Sequence, residues 1–171
     1  MTNTSNAPTL GLVHGALAGL SPLRANTLAL VLGVSTVFGF APFHAWPVYL
    51  LSISLLLWLV DGAKRQKKWL FAAFNRGWFW GFGFTLFGMH WLVEPFLVDF
   101  EQHGAFIWMP LILMPSGMGL FFGVATLVAS LFWSNGPGRI FVLVAALAIT
   151  EWLRGTLFGG FPWNWPGTVW E

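Results

Sequence analysis

Apolar positions in this chain do not alternate with polar ones. They run in long blocks divided by short polar or proline-rich punctuation. Residues 1–8 are polar and patternless, without the basic start or small-residue cleavage site of a signal peptide. Residues 9–20 are apolar but too few to span, since a crossing needs about 20. A short interfacial or dipping helix is expected there, with Gly11, Gly15 and Gly19 as a close-packing face. Residues 26–60 are nearly continuous apolar sequence, broken at Pro42 and Pro47 in the run APFHAWP. Two helices of about fifteen residues rise only about 22 Å each, less than the roughly 30 Å of hydrocarbon. They are expected to form a tight hairpin with its tip, near His44, at or below the far interface. Further blocks at 77–93, 106–133 and 140–153 each suit a crossing. The pattern therefore predicts an all-α integral membrane protein of about five transmembrane helices, the first two a short hairpin broken at Pro42 and Pro47. Residues 1–25 form a tail with the interfacial helix, 26–157 the helical domain, and 158–171 a following loop.

Composition supports the same class. Hydrophobic residues make up 57% of the 171 and charged residues only 8%, against about 25% in a soluble domain. Twelve Trp and eighteen Phe against one Tyr suit interfacial anchoring. The charges also sort by position. Lys64, Arg65, Lys67 and Lys68 cluster in one loop, which the positive-inside rule assigns to the cytoplasm. So short a basic run between spans implies no nucleic-acid partner. Counting onward, 94–104, with Glu94, Asp99 and Glu101, lies outside, and so does 158–171. Seven of the eight Lys and Arg then fall on or beside the cytoplasmic face, leaving Arg154 alone outside.

Chemistry concentrates where the last block ends. Glu151 and Arg154 stand three apart, on one helical face, at the edge of an apolar span. Charges there are costly unless paired or turned to a cavity, so they mark a candidate site. Glycine, proline, Trp163, Asn164 and Trp165 follow. His90 and Trp91, at the outer end of the third span, are expected at the level of Glu151 and Trp163, which suggests an aromatic-lined lateral entrance for lipid. A structural cap with an aromatic belt is the simpler account of the same residues. Gly77 and Gly81, and Gly119 and Gly123, have small-residue packing spacing, and Pro110 and Pro115 should bend the fourth span. His14 has no acidic or histidine neighbour in sequence and is read as incidental. There is no Gly-rich phosphate loop, no HExxH and no Ser in a nucleophile-elbow context. Neither a metal site nor a cofactor is expected. With no cysteine, the chain has no thiol nucleophile.

EWLRG at 151–155 and GFPWN at 160–164, with Gly39-Phe40-Ala41-Pro42, Trp46-Pro47, residues 77–83 and His90-Trp91, carry a resemblance. Over about residues 26–171 the chain resembles the membrane portion of apolipoprotein N-acyltransferases, bacterial inner-membrane enzymes of lipoprotein maturation. The resemblance implies a phospholipid acyl donor and a diacylglyceryl apolipoprotein acceptor. It also implies a periplasmic nitrilase-like domain whose Glu-Lys-Cys triad forms a thioester. No triad member is assignable here. The chain is expected to be a fragment or truncated product, inactive alone, with Glu151, Arg154, Trp163, Asn164, His90 and Trp91 as candidate substrate-binding residues. A small transport, channel or scaffold membrane protein is the alternative; it is opposed by the absence of an internal repeat or of a line of buried ionisable groups.

Overall fold

A computed structural model describes residues 7–157, 160 and 163–170, with side chains from Leu10 onward. Helix α1 covers Ala7–Ala18, α2 Pro22–Thr36, α3 Trp46–Ala63 and α4 Trp69–Gly88. Two short helices follow, α5 at Glu94–Val98 and α6 at Phe100–His103. Then come α7 at Met114–Leu131 and α8 at Gly138–Thr156. Among the described residues there is no strand.

The prolines sit where a helix tolerates them. Pro22 and Pro47 occupy the first turns of α2 and α3, where the missing N–H has no intrahelical partner to lose. Between these helices, Phe40–Ala45 turns through a cis Ala41–Pro42 bond and a left-handed His44, whose φ is 52°. The tip is exposed. Pro110 lies in a π-helical turn, Met109–Leu113, that leads into α7, and Pro115 falls in the first turn of α7 itself.

The helical lengths differ from those expected. Pro22–Gly39 and Trp46–Ala63 are each 18 residues, long and apolar enough to cross rather than falling short. The difference comes from the ends, since Pro22 starts α2 four residues before 26 and a 3-10 turn, Val37–Gly39, prolongs it. Phe100–Leu131 is a third candidate. A fourth arises if Trp69–Gly88 and His90–Val98, bent by 63°, make one span. Against the five helices expected, the described residues therefore hold three such spans, or four. The remaining helix, α8, carries Arg139, Glu151 and Arg154 within its nineteen residues, which lowers its apolar character.

Packing is built on missing side chains and buried hydroxyls. The main pairs are α4 with α7 and α2 with α4, and α8 packs chiefly on α7. A Cβ on Gly77 would collide with the Phe122 carbonyl and the Thr126 hydroxyl, so this approach of α4 to α7 requires glycine. Thr126 Oγ1 also donates to the Ala73 carbonyl at 2.8 Å. Ser52 joins three helices. Its hydroxyl lies 2.7 Å from that of Thr36, donates to the Leu32 carbonyl at 2.8 Å, and accepts from Trp80 Nε1 at 2.9 Å.

One end of the bundle is basic, and Asp61 knits it together. Its carboxylate lies 2.9 Å from His14 Nε2 and 3.4 Å from Arg139 Nη2, and accepts from Trp133 Nε1 at 2.8 Å. His14 is thus not incidental; the fold brings it an acid from 47 positions away. The close contact of α1 is made by Ala18 against Gly62, whereas Gly11 and Gly15 face open space, so the expected glycine face is not a packing face. Nearby, Lys64 donates to the Ser130 carbonyl at 3.1 Å and sits 3.3 Å over the Trp69 ring. Arg76, buried on α4, donates to the Asn26 side-chain oxygen and the Pro22 carbonyl.

Candidate functional site

The opposite end of the bundle holds the candidate residues. Helix α8 places Glu151 and Arg154 one turn apart, both buried, with Arg154 Nη2 2.5 Å from Glu151 Oε2. The same nitrogen donates to the Trp163 carbonyl at 2.7 Å. Two features reverse the chain after α8. Gly160 adopts φ 76°, and its N–H reaches back to the Leu157 carbonyl at 2.9 Å. Asn164 takes φ 52°, a left-handed conformation that asparagine tolerates better than most residues. Phe161 and Pro162 of the GFPWN motif lie outside the described residues.

Trp163 ties this returning segment to α4. Its indole N–H donates to the Gly88 carbonyl at 3.1 Å, and its ring lies 5.0 Å from that of Trp91 at an interplanar angle of 51°. The Asn164 side-chain amide rests against Gly88, where a Cβ would strike it. Trp165 packs on Gly155, and Trp170 meets Trp46 at 5.3 Å between ring centroids. The pair on α8, the loop and the end of α4 are therefore one connected cluster.

Of the six candidate residues, Glu151, Arg154, Trp163, Asn164 and Trp91 come together. His90 does not join them. It is exposed, and its Nδ1 hydrogen-bonds the Phe87 carbonyl of its own helix end at 2.8 Å. The bend after Gly88 turns it away while keeping Trp91 in place. Tyr49 was not legible as part of this region, yet it lines, with Glu151, a cavity of about 410 Å³ between α3 and α8. Its only signal is being the sole tyrosine in the chain. Among the described residues, no group of three or more His, Asp or Glu has metal-binding geometry.

Comparison with known proteins agrees with this architecture. A family model described as "Apolipoprotein N-acyltransferase N-terminal domain" matches residues 32–170. Proteins named apolipoprotein N-acyltransferase are similar over most of the chain. One from Rhizobium etli (strain CIAT 652) is 36% identical over 146 residues, covering 82% of this chain and 27% of the relative. One from Sinorhizobium fredii (strain NBRC 101917 / NGR234) is 38% identical over 156 residues, covering 86% and 28%. One from Brucella suis biovar 1 (strain 1330) is 34% identical over 155 residues, covering 88% and 29%. The chain spans between 27% and 29% of the length of these relatives. With four fifths of its residues inside the matched region, this chain belongs to the apolipoprotein N-acyltransferase N-terminal domain family.

Proposed function

We propose that the chain serves as the membrane portion of an apolipoprotein N-acyltransferase in a bacterial inner membrane. In that role it admits and positions lipid substrates at the outer leaflet. The observation that carries this reading is the chain of contacts from Glu151 through Arg154 to Trp163, and from Trp163 to Gly88 and Trp91. Buried charges at the end of an apolar helix are costly, and here they are spent holding one tryptophan against another. Two half-exposed indole rings at that level suit a phospholipid headgroup and the top of its acyl chain. Asn164 adds an amide with both donor and acceptor capacity.

In this reading α8 is a fifth crossing, because its charges lie at its ends and 140–150 carry none. α2 and α3 form the hairpin, and the bent α4–α5 pair and α7 complete the set. The basic end is cytoplasmic, and 94–104 and 158–171 are periplasmic. The family resemblance supplies the chemistry. An acyl chain passes from phospholipid to a cysteine thiolate, releasing the lysophospholipid, and the free α-amine of a diacylglyceryl-cysteine then attacks the thioester, forming an amide and freeing the thiolate. This chain contains no cysteine, so that step belongs to residues other than its own.

The test uses a full-length family member bearing the same EWLRG and GFPWN motifs. Its equivalent of Trp163→Ala should lose acyl transfer at normal folded yield. Loss of yield and activity in step would make the ring a structural anchor and overturn the entrance reading.

A further inference from the structure

Beyond Gly88 the chain leaves α4, and it does not enter another long helix until Met114. Between them lie a 3-10 turn, His90–Val93, then α5 and α6, a second 3-10 turn, Gly104–Phe106, and the π-helical turn Met109–Leu113. None of residues 90–109 is buried, so this segment has no core of its own. It rests on the outer end of α7 instead. Leu92 and Phe96 face Met109, Leu113 and Met114 across an apolar cavity of about 390 Å³, which leaves the seat part-filled. Among the described residues, Glu94, Asp99 and Glu101 form no ion pair that would fasten it. Few buried contacts over a part-filled seat mark an element that opens at low cost.

Both ends of the segment are built to pivot. Met89, with φ −122° and ψ 16°, lies outside the helical range, and the 63° bend falls there. At the other end Pro110 has no N–H to give to the π-helical turn, itself a local break in the helical ladder. The turn His90–Val93 touches this π-helical turn, so the two pivots lie side by side. One residue of the loop after α8 bridges the bend. Trp163 gives its indole N–H to the Gly88 carbonyl at 3.1 Å and sets its ring 5.0 Å from that of Trp91. That carbonyl ends α4, where the helix supplies no partner of its own. The loop thus grips α4 on the near side of the bend and Trp91 on the far side. The Trp163 carbonyl is held in turn by Arg154, so this grip is set from α8. The other side-chain hydrogen bond across the bend, from His90 to the Phe87 carbonyl, is exposed.

We infer that residues 90–109 form a hinged flap latched shut by Trp163, and that unlatching carries Trp91 away from Trp163. The flap gates the lipid entrance proposed above, so its purpose rests on that reading. The motion itself does not.

Spin-label pairs report this motion in the whole chain, which has no native cysteine. The chain is reconstituted in vesicles of phosphatidylethanolamine and phosphatidylglycerol, and distances are read by pulsed EPR. Gln102→Cys on α6 and Ile149→Cys on α8, both exposed, form the flap pair. Phe71→Cys on α4 and Leu131→Cys on α7, also exposed, form the bundle pair. A hydrogen bond or a ring contact is each worth roughly a factor of five in such an equilibrium. Trp163→Phe, which keeps a ring, and Trp91→Leu should each raise the open population roughly fivefold, and Trp163→Ala, which loses both contacts, roughly twenty-fivefold. The bundle pair should match the parent in all three. Using Trp91→Leu beside Trp163→Ala keeps the test decisive if one variant folds poorly. Three results overturn the proposal: a flap distance unchanged in both of those variants, a parent already as broad as Trp163→Ala, or equal broadening of the bundle pair. No acyl transfer enters this readout, so the motion can fail while the entrance reading stands, and the reverse.

Discussion

Arg154 and Glu151, one turn apart on α8, are joined at 2.5 Å in a site that excludes solvent, and the same guanidinium nitrogen holds the Trp163 carbonyl at 2.7 Å. Removing one partner leaves an uncompensated charge, which in buried settings costs about 3–5 kcal/mol. Thermal unfolding in detergent should rank three variants. Arg154→Met should be the worst, because it loses the loop contact as well as the pair. Glu151→Gln should be intermediate, and the double variant milder than Arg154→Met alone. Single variants that melt like the parent would show the pair to be idle.

Gly77 and Gly117 make a matched comparison. Both lie within helices, but a Cβ at Gly77 meets the Phe122 carbonyl and the Thr126 hydroxyl, whereas one at Gly117 meets nothing within 4 Å. Gly77→Ala should destabilise by roughly 1–3 kcal/mol, the usual cost of overpacking. Gly117→Ala should be neutral or stabilising by up to about 1 kcal/mol, because alanine is the better helix former. Equal melting temperatures for the two would contradict the tight α4–α7 contact.

Orientation is testable because no native cysteine interferes. A cysteine at Gln66 should resist a membrane-impermeant thiol reagent in intact spheroplasts and react after permeabilisation. One at Gln102 should react in both. The reverse pattern would invert the bundle and remove the entrance from the outer leaflet.

Asp61 accepts or pairs with His14, Trp133 and Arg139 at once. Asp61→Asn keeps one carbonyl oxygen but loses the charge, and should cost about 1–3 kcal/mol, the range for a buried polar partner left unsatisfied. Helix α1 should loosen first, because its contact with α3 adjoins this carboxylate. A cysteine at Ala18, which is buried against Gly62, should react with thiol reagents faster in the Asp61→Asn background than in the parent. Unchanged reactivity would mean that Ala18 and Gly62 hold α1 without the carboxylate.

The sequence announced some of this fold and hid the rest for physical reasons. The Glu151–Arg154 pair was readable because a separation of three residues fixes a shared helical face whatever the tertiary structure. Gly77 was readable too, since small-residue spacing directly reflects helix contact. Asp61 was not, because its partners come from three other segments and no local rule joins positions 14, 61, 133 and 139. The proline break at 42–47 was legible, and the helices do part there; the two spans come out longer than expected because Pro22 starts α2 before position 26, a 3-10 turn prolongs it, and α3 runs on to Ala63. His90 was misplaced by a local reading: the 63° bend just before it carries it out of the line of α4.

Ser52 touches α2, α3 and α4 through a single oxygen. An atom shared in this way acts as a dowel. Sliding α3 by one residue would displace that oxygen by about 1.5 Å and break all three contacts together, whereas a small tilt about the same point keeps each within reach. Pistons are thereby forbidden to this half of the bundle and hinges allowed. Any part that α3 takes in widening the gap beside α8 must come from leaning.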